Sequence, residues 1–182
     1  MSSDKEKLRN ILIEKCLRTG VRRILSSGRE SNYYIDAKYA TMDPEGSYII
    51  AKLILEKLEE YDVDAIGGYT LGADPIVGSV VALSSQTKKP LLGFIVRKEP
   101  KTHGEMKLIE GPFRKGLKCL IVDDVITTGS SILKAAKAVE DEGGIVVLTM
   151  GIVDRLEGGR ENIEKAGYIF QSIFTRKDLG ID

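Results

Sequence analysis

Residues 117–132 read LKCLIVDDVITTGSSI. An apolar run from Leu117 to Val122 delivers two adjacent carboxylates, Asp123 and Asp124. Val125 and Ile126 follow, then Thr127, Thr128, Gly129, Ser130 and Ser131. The run lacks polar alternation, as a strand buried on both faces would. From Ser130 to Glu142 the chain reads as a helix, closed by Gly143-Gly144. Strand, tight turn and helix together are one unit of an α/β fold. Glycine lets the turn tighten, and the N–H groups of the turn and helix start form an anion cup. The hydroxyls of Thr127, Thr128, Ser130 and Ser131 add donors. Such a cup suits a phosphate, yet two acids beside it would repel one unless they serve another group. Ribose hydroxyls, or a metal held through water, would account for them. A 5-phosphorylated ribose satisfies the whole segment. A bare acidic pair could simply end a strand and cap a helix, but the full string is more specific than that. It is neither a Walker loop nor a dinucleotide fingerprint, because Gly-Lys-Ser/Thr and GxGxxG are both absent.

The same alternation extends in both directions. Ala65 to Gly68, Leu91 to Val96, Ile145 to Val153 and Tyr168 to Ile173 read as strands, and Ala73 to Leu83 and Arg160 to Ala166 as helices. This pattern predicts a mostly parallel sheet flanked by helices on both faces. Ligands in such sheets bind beyond the carboxyl ends of the strands. The unusual polar segments, 69–74, 97–111, 123–131 and 154–159, all follow strands. Before the alternation, Asp4 to Arg18 places Leu8, Ile11, Leu12 and Cys16 on one helical stripe, with Gly20 as the expected stop. Val21 to Lys38 reads as two short strands around a turn at Ser26-Ser27-Gly28. Asp43-Pro44 predicts a helix start whose buried stripe is Ile50, Leu53, Ile54 and Leu58.

Composition sets the outer bounds. The chain has 182 residues, with 27 basic and 27 acidic side chains and 42% hydrophobic residues. It is too apolar to be disordered and long enough to bury its own core, so one domain over residues 1–182 is expected. Cys16 and Cys119 lack the spacing of a disulfide framework or metal site and read as core. No apolar run reaches the length of a membrane span, and MSSDKEKLRN is charged where a signal peptide would be apolar. A cytoplasmic protein without a membrane partner is expected. A net charge of zero argues against bulk nucleic-acid binding.

The loop after Val96 reads RKEPKTHGEMKLIEG and carries Arg97, Lys98, Lys101 and the sole histidine, His103. These groups make sense around a diphosphate. A solvated charged loop is the alternative, since Glu99, Glu105 and Glu110 balance the charge locally.

The DDVITTGSS string resembles the phosphoribosyl-pyrophosphate motif of type I phosphoribosyltransferases. That family implies a parallel sheet flanked by helices, a small N-terminal hood over the base, here within about residues 1–40, and a mobile closing loop. RKxxKxHG from Arg97 resembles the catalytic loop of the orotate phosphoribosyltransferases in particular. SSGRESNYYID (26–36) is similar to their hood element, GGYTLGADP (67–75) to their diphosphate turn, and VDRLEGG (153–159) to their VDR-x-E-G segment. A purine or uracil transferase would share DDVITTG, but RKxxKxHG and VDR-x-E-G argue against it.

The resemblance implies roles. Arg97, Lys98, Lys101 and His103 would bind the diphosphate, and Asp123 and Asp124 the ribose. Val125, Ile126, Thr127, Thr128, Gly129, Ser130 and Ser131 would hold the 5-phosphate, while Thr127 and Arg155 would contact orotate. Lys101, His103, Asp123 and Asp124 would be the catalytic set. Mg²⁺ would arrive with the diphosphate, without a protein metal site, and two chains would share their active sites in a homodimer. Many relatives carry a lysine where this chain has Ser26, which leaves more of the orotate carboxylate to Arg155. A salt bridge to Glu157 or Asp154 is the plainer role for Arg155.

Overall fold

The structure, a computed structural model, describes residues 3–24, 30–99 and 108–182. The six-stranded sheet follows the alternation read above. Its strands are β3 (Ala65–Tyr69), β4 (Leu92–Val96), β5 (Ile109–Glu110), β6 (Lys118–Ile126), β7 (Ile145–Asp154) and β8 (Phe170–Thr175), in the order β5-β4-β3-β6-β7-β8. All neighbours are parallel except β4 and β5. The two-residue β5 lies inside the polar segment 97–111 and adds an antiparallel edge strand beside β4.

Alternating side chains of β6 go to opposite faces. Leu120 and Val122 join one core with α1 (Ser3–Ile11), α3 (Pro44–Leu58) and α4 (Asp74–Ser84). Cys119 and Ile121 join the other with α5 (Ser130–Asp141) and α6 (Gly159–Lys165). Each large apolar side chain buried this way contributes about 1.5–3 kcal/mol. That burial fixes β6 against both layers and sets where its acidic end emerges. The chain leaves β3 toward β4 on one side, while β6 lies on the other, so the crevice opens beyond the ends of β3 and β6.

The helix start at Asp43-Pro44 is present. Asp43 Oδ1 accepts the N–H groups of Glu45 and Gly46 at 3.1 and 2.9 Å, and Pro44 opens α3. Ile50, Ile54 and Leu58 are buried, and Leu53 packs beside them.

Two expectations need revision. The N-terminal helix is shorter than its stripe: α1 ends at Ile11, a π-type turn spans Leu12–Cys16, and β1 (Leu17–Ile24) begins at once. Pairing decides this, because the Cys16 carbonyl accepts the Asp36 N–H and Leu17 aligns with Ile35 of β2 (Glu30–Ile35). Gly20, at φ 75°, therefore sits in a strand whose register shifts between Thr19 and Arg23 and does not stop a helix. The strand before the acids is also longer than its apolar run. β6 continues to Ile126, with Asp123 aligned to Gly151 and Val125 to Val153. β1 and β2 form a separate antiparallel ribbon, and the Ser26–Gly28 turn lies outside the described residues.

Candidate active site

The acids lie toward the carboxyl end of β6, and their backbone surroundings orient them. Asp123 is 8% exposed, and its Oδ1 accepts the Asp124 N–H at 3.0 Å. Asp124 Oδ1 accepts the Val125 N–H at 2.8 Å. Burial, with the neighbouring Asp124 charge second, pushes the Asp123 carboxyl up to about 7, against a partial pull from the Ser131 hydroxyl. Taking a carboxylate out of water penalises its charged form, and a like charge beside it adds to the penalty.

Gly129 begins α5 in the left-handed region at φ 77°. A side chain there would also strike Ile163, at 2.8 Å, so the position needs glycine twice over. The turn and helix start enclose a cavity of about 200 Å³ lined by Asp123 and residues 125–131. The helix start supplies N–H groups with no acceptor inside the helix, and these favour an anion. The segment after β7 supports the cup from behind: Asn162 Nδ2 donates to the Thr128 carbonyl at 3.0 Å.

The β3 turn meets the acids from the other side. A Cβ on Gly72 would lie 2.6 Å from Asp124 Oδ1 and 2.8 Å from Asp123 Oδ1, so any side chain would displace both carboxylates. Thr70 Oγ1 donates to Asp74 Oδ2 at 2.7 Å and ties the turn to the start of α4. The polar segments after β3 and β6 thus meet at one place.

Arg97, at the end of β4, pairs with Glu110 at 3.2 Å and donates to the Glu99 carbonyl. Lys98 follows it beside a cavity of about 730 Å³ that also touches Thr128 and Ser130. Lys101 and His103 lie outside the described residues. Arg155, 3% exposed, pairs with Glu157 at 2.8 Å. Its Nε donates to the Tyr33 hydroxyl at 3.2 Å, and its guanidinium lies 4.5 Å from the Tyr33 ring centroid. The ion pair with Glu157 that the residues allowed is therefore present, and Tyr33 of β2 is packed against it. Asp154 instead faces Arg160 at 3.7 Å.

Lys38 is the residue that motif reading passed over. It starts the short helix α2 (Lys38–Thr41), pairs with Asp36 at 2.8 Å and lies 3.9 Å from Asp124 Oδ2. Its place two residues after Asp36, the last residue of the hood element, is the only trace in the sequence.

Known proteins match this chain in sequence and in fold. The phosphoribosyl transferase domain family matches residues 47–176. The chain is 44% identical over 178 residues to the orotate phosphoribosyltransferase of Aquifex aeolicus, covering 97% of each. It is 48% identical to that of Pyrococcus horikoshii, covering 96% of this chain and 92% of the relative. Its fold superposes, with a TM-score of 0.81 and 36% identity, on Mycobacterium tuberculosis orotate phosphoribosyltransferase in complex with 5-phospho-α-D-ribosyl 1-diphosphate. That match covers 98% of this chain and 99% of the other.

Proposed function

The chain belongs to the orotate phosphoribosyltransferases, and on that premise we propose that it acts in de novo pyrimidine synthesis. It moves ribose 5-phosphate from phosphoribosyl diphosphate to N1 of orotate, giving orotidine 5′-monophosphate and diphosphate. One observation carries the reading: a hydroxyl-lined anion cup and two oriented carboxylates sit side by side at the crevice between β3 and β6. A phosphate alone would need only the cup.

Residues 125–131 hold the 5-phosphate. Asp123 and Asp124 accept the ribose 2- and 3-hydroxyls and, on the sugar side, favour the positive character that develops as the C1–diphosphate bond breaks. Arg97, Lys98, Lys101 and His103 stabilise the departing negative charge, which is greatest in the transition state. Arg155 and Thr127 recognise orotate. A planar guanidinium matches the orotate carboxylate, and Glu157 and Tyr33 keep that guanidinium in one orientation. Closure of the loop over the crevice keeps water from the activated sugar. The donor chemistry, two carboxylates beside a phosphate cup, fits Mg²⁺ that keeps its waters and its diphosphate ligands. When bound, that ion neutralises part of the leaving group's charge.

The functional unit is a homodimer in which the loop of one chain serves the other's cup. Tyr39, Met42, Tyr48 and Leu71 support this, because they are 55–71% exposed on α2, just after it, on α3 and in the turn after β3. Among the described residues, no helix is long and apolar enough to cross a membrane.

The test is orotate absorbance with phosphoribosyl diphosphate and Mg²⁺. Orotate loss should need all three components, and adenine, hypoxanthine or uracil should not replace orotate in releasing diphosphate. No loss of orotate under these conditions would overturn the reading. Mixed dimers of Lys101→Ala and Asp124→Asn chains should regain activity that neither variant has alone. Heterodimers that form yet stay inactive would refute the shared site.

A further inference from the structure

We propose that Lys38 is a positioning residue for the sugar, fixing the Asp124 carboxylate from the hood side so that it meets the incoming ribose hydroxyls. The proposal rests on the reading of Asp123 and Asp124 as the ribose cradle.

The backbone beneath Lys38 is anchored. Ala37, Ala40 and Thr41 around it are 0–2% exposed, so core packing sets where its side chain starts. The ammonium is anchored as well. Asp36 Oδ1 lies 2.8 Å from Lys38 Nζ and also accepts the Lys38 backbone N–H at 3.3 Å. Asp36 is itself tied down, since its own N–H donates to the Cys16 carbonyl. One side of the ammonium is therefore taken, and another side faces Asp124 Oδ2 at 3.9 Å.

That distance matters. It is too long for a hydrogen bond but close enough for strong attraction in a half-buried site. Asp124 Oδ1 is oriented by the Val125 N–H, and Oδ2 is drawn toward Lys38 without losing its acceptor positions. An ammonium in direct contact would compete with the ribose hydroxyls for those positions. Held back by Asp36, it aims the carboxylate and leaves the acceptors open. Among the ion pairs of the described residues, Lys38 supplies the cation that reaches Asp124. Three carboxylates, Asp36, Asp123 and Asp124, gather where a highly anionic substrate must enter, and Lys38 offsets their charge.

The alternative is that Lys38 merely pins the hood to the sheet. The two roles separate in binding. Affinity for phosphoribosyl diphosphate with Mg²⁺, measured by calorimetry without orotate, should fall roughly ten- to a hundredfold in Lys38→Gln, the usual cost of losing a partner that orients a binding group. The KM for orotate should stay as in the wild type. Lys38→Arg keeps the charge and the Asp36 pair, and should restore the affinity. A Lys38→Gln protein with lowered melting temperature and unchanged sugar affinity would overturn the proposal. So would equal losses toward both substrates, or a Lys38→Arg protein that folds as the wild type yet binds like Lys38→Gln. A wild-type protein that fails to bind the sugar diphosphate would sink the reading of the cup itself, a result separate from any difference between variants.

Discussion

The two ends of the central sheet both carry paired aspartates, and the structure treats them in opposite ways. At the amino end, Asp62 is held by the ammonium groups of Lys118 and Lys89. Asp64 accepts the Lys118 N–H at 3.0 Å and pairs with Lys89 at 3.1 Å. The Lys118 and Lys89 ammoniums hold the Asp62 carboxyl down at about 2, and the Lys118 N–H holds Asp64 below the usual range. A cavity of about 450 Å³ lies beside them, lined by Asp64, Lys89, Arg114 and Lys115 among others. At the carboxyl end, Asp123 is buried beside another acid and pushed up to about 7. Among the ion pairs of the described residues, Asp124 is the member of the two that a lysine reaches, Lys38 at 3.9 Å. The amino-end cavity is larger than the cup, yet both aspartates there are already held by lysines. The carboxyl end holds a largely buried acid pair with, among the described residues, a single lysine at 3.9 Å, the imbalance that the proposed ligand site would use.

Removing one acid from each end gives the largest contrast. Asp124→Asn should lower kcat/KM roughly a hundred- to a thousandfold, the usual cost of losing one group aimed at developing charge. Asp62→Asn should leave turnover unchanged. Steady-state orotate consumption measures both, and a comparable loss in Asp62→Asn would erase the distinction between the two ends.

The carboxyl-end half of this contrast was legible in the sequence, because it depends on local order. The βαβ alternation, the cup at 125–131 and the cap at Asp43-Pro44 are all written in consecutive residues. What stayed hidden depends on distant parts of the chain. Gly72 sits in the segment 67–75 that resembles a diphosphate turn, but only the placement of β3 beside β6 shows that its Cβ would meet both acids. Lys38 reads as one more charge until α2 carries it to Asp124. Arg155 had two roles open from its neighbours, and only the position of Tyr33 shows that it is stacked and paired. The strand at Leu17 was hidden for the same reason: its helical stripe is real, but pairing with Ile35 overrides it.

The acid pair also predicts a conflict between stability and function. With its folded pKa raised above the ordinary 3.8, Asp123 keeps a proton that the unfolded chain has released. Its contribution is fully present below about pH 4 and is lost as pH rises through about 7. Asp123→Asn removes that loss. The ligand-free variant should therefore melt near the wild-type temperature at pH 4 and above it at pH 8. Each kcal/mol relieved would raise the midpoint by roughly 2–4 °C for a chain of this size. The same variant should bind phosphoribosyl diphosphate more weakly. A melting difference that does not grow with pH would mean that the buried charge is accommodated in some other way.

The smallest effect is expected at the amino end, and its sign is reversed. Asp62 has a folded pKa below its unfolded one, so its stabilisation is present above about pH 4 and is lost as pH falls toward about 2. Asp62→Asn should therefore lower the melting temperature slightly at pH 7, and the deficit should shrink as the pH is brought down. Added salt should shrink it too, because Asp62 and both its lysines are solvent-exposed and screening acts on them directly. Asp123→Asn should show little such salt dependence, since its carboxyl lies away from solvent. Melting curves at low and high salt thus distinguish the two ends without any substrate. A salt-insensitive deficit in Asp62→Asn would place that acid in a packed network and not in a solvated pair, and the amino end would then need a function of its own.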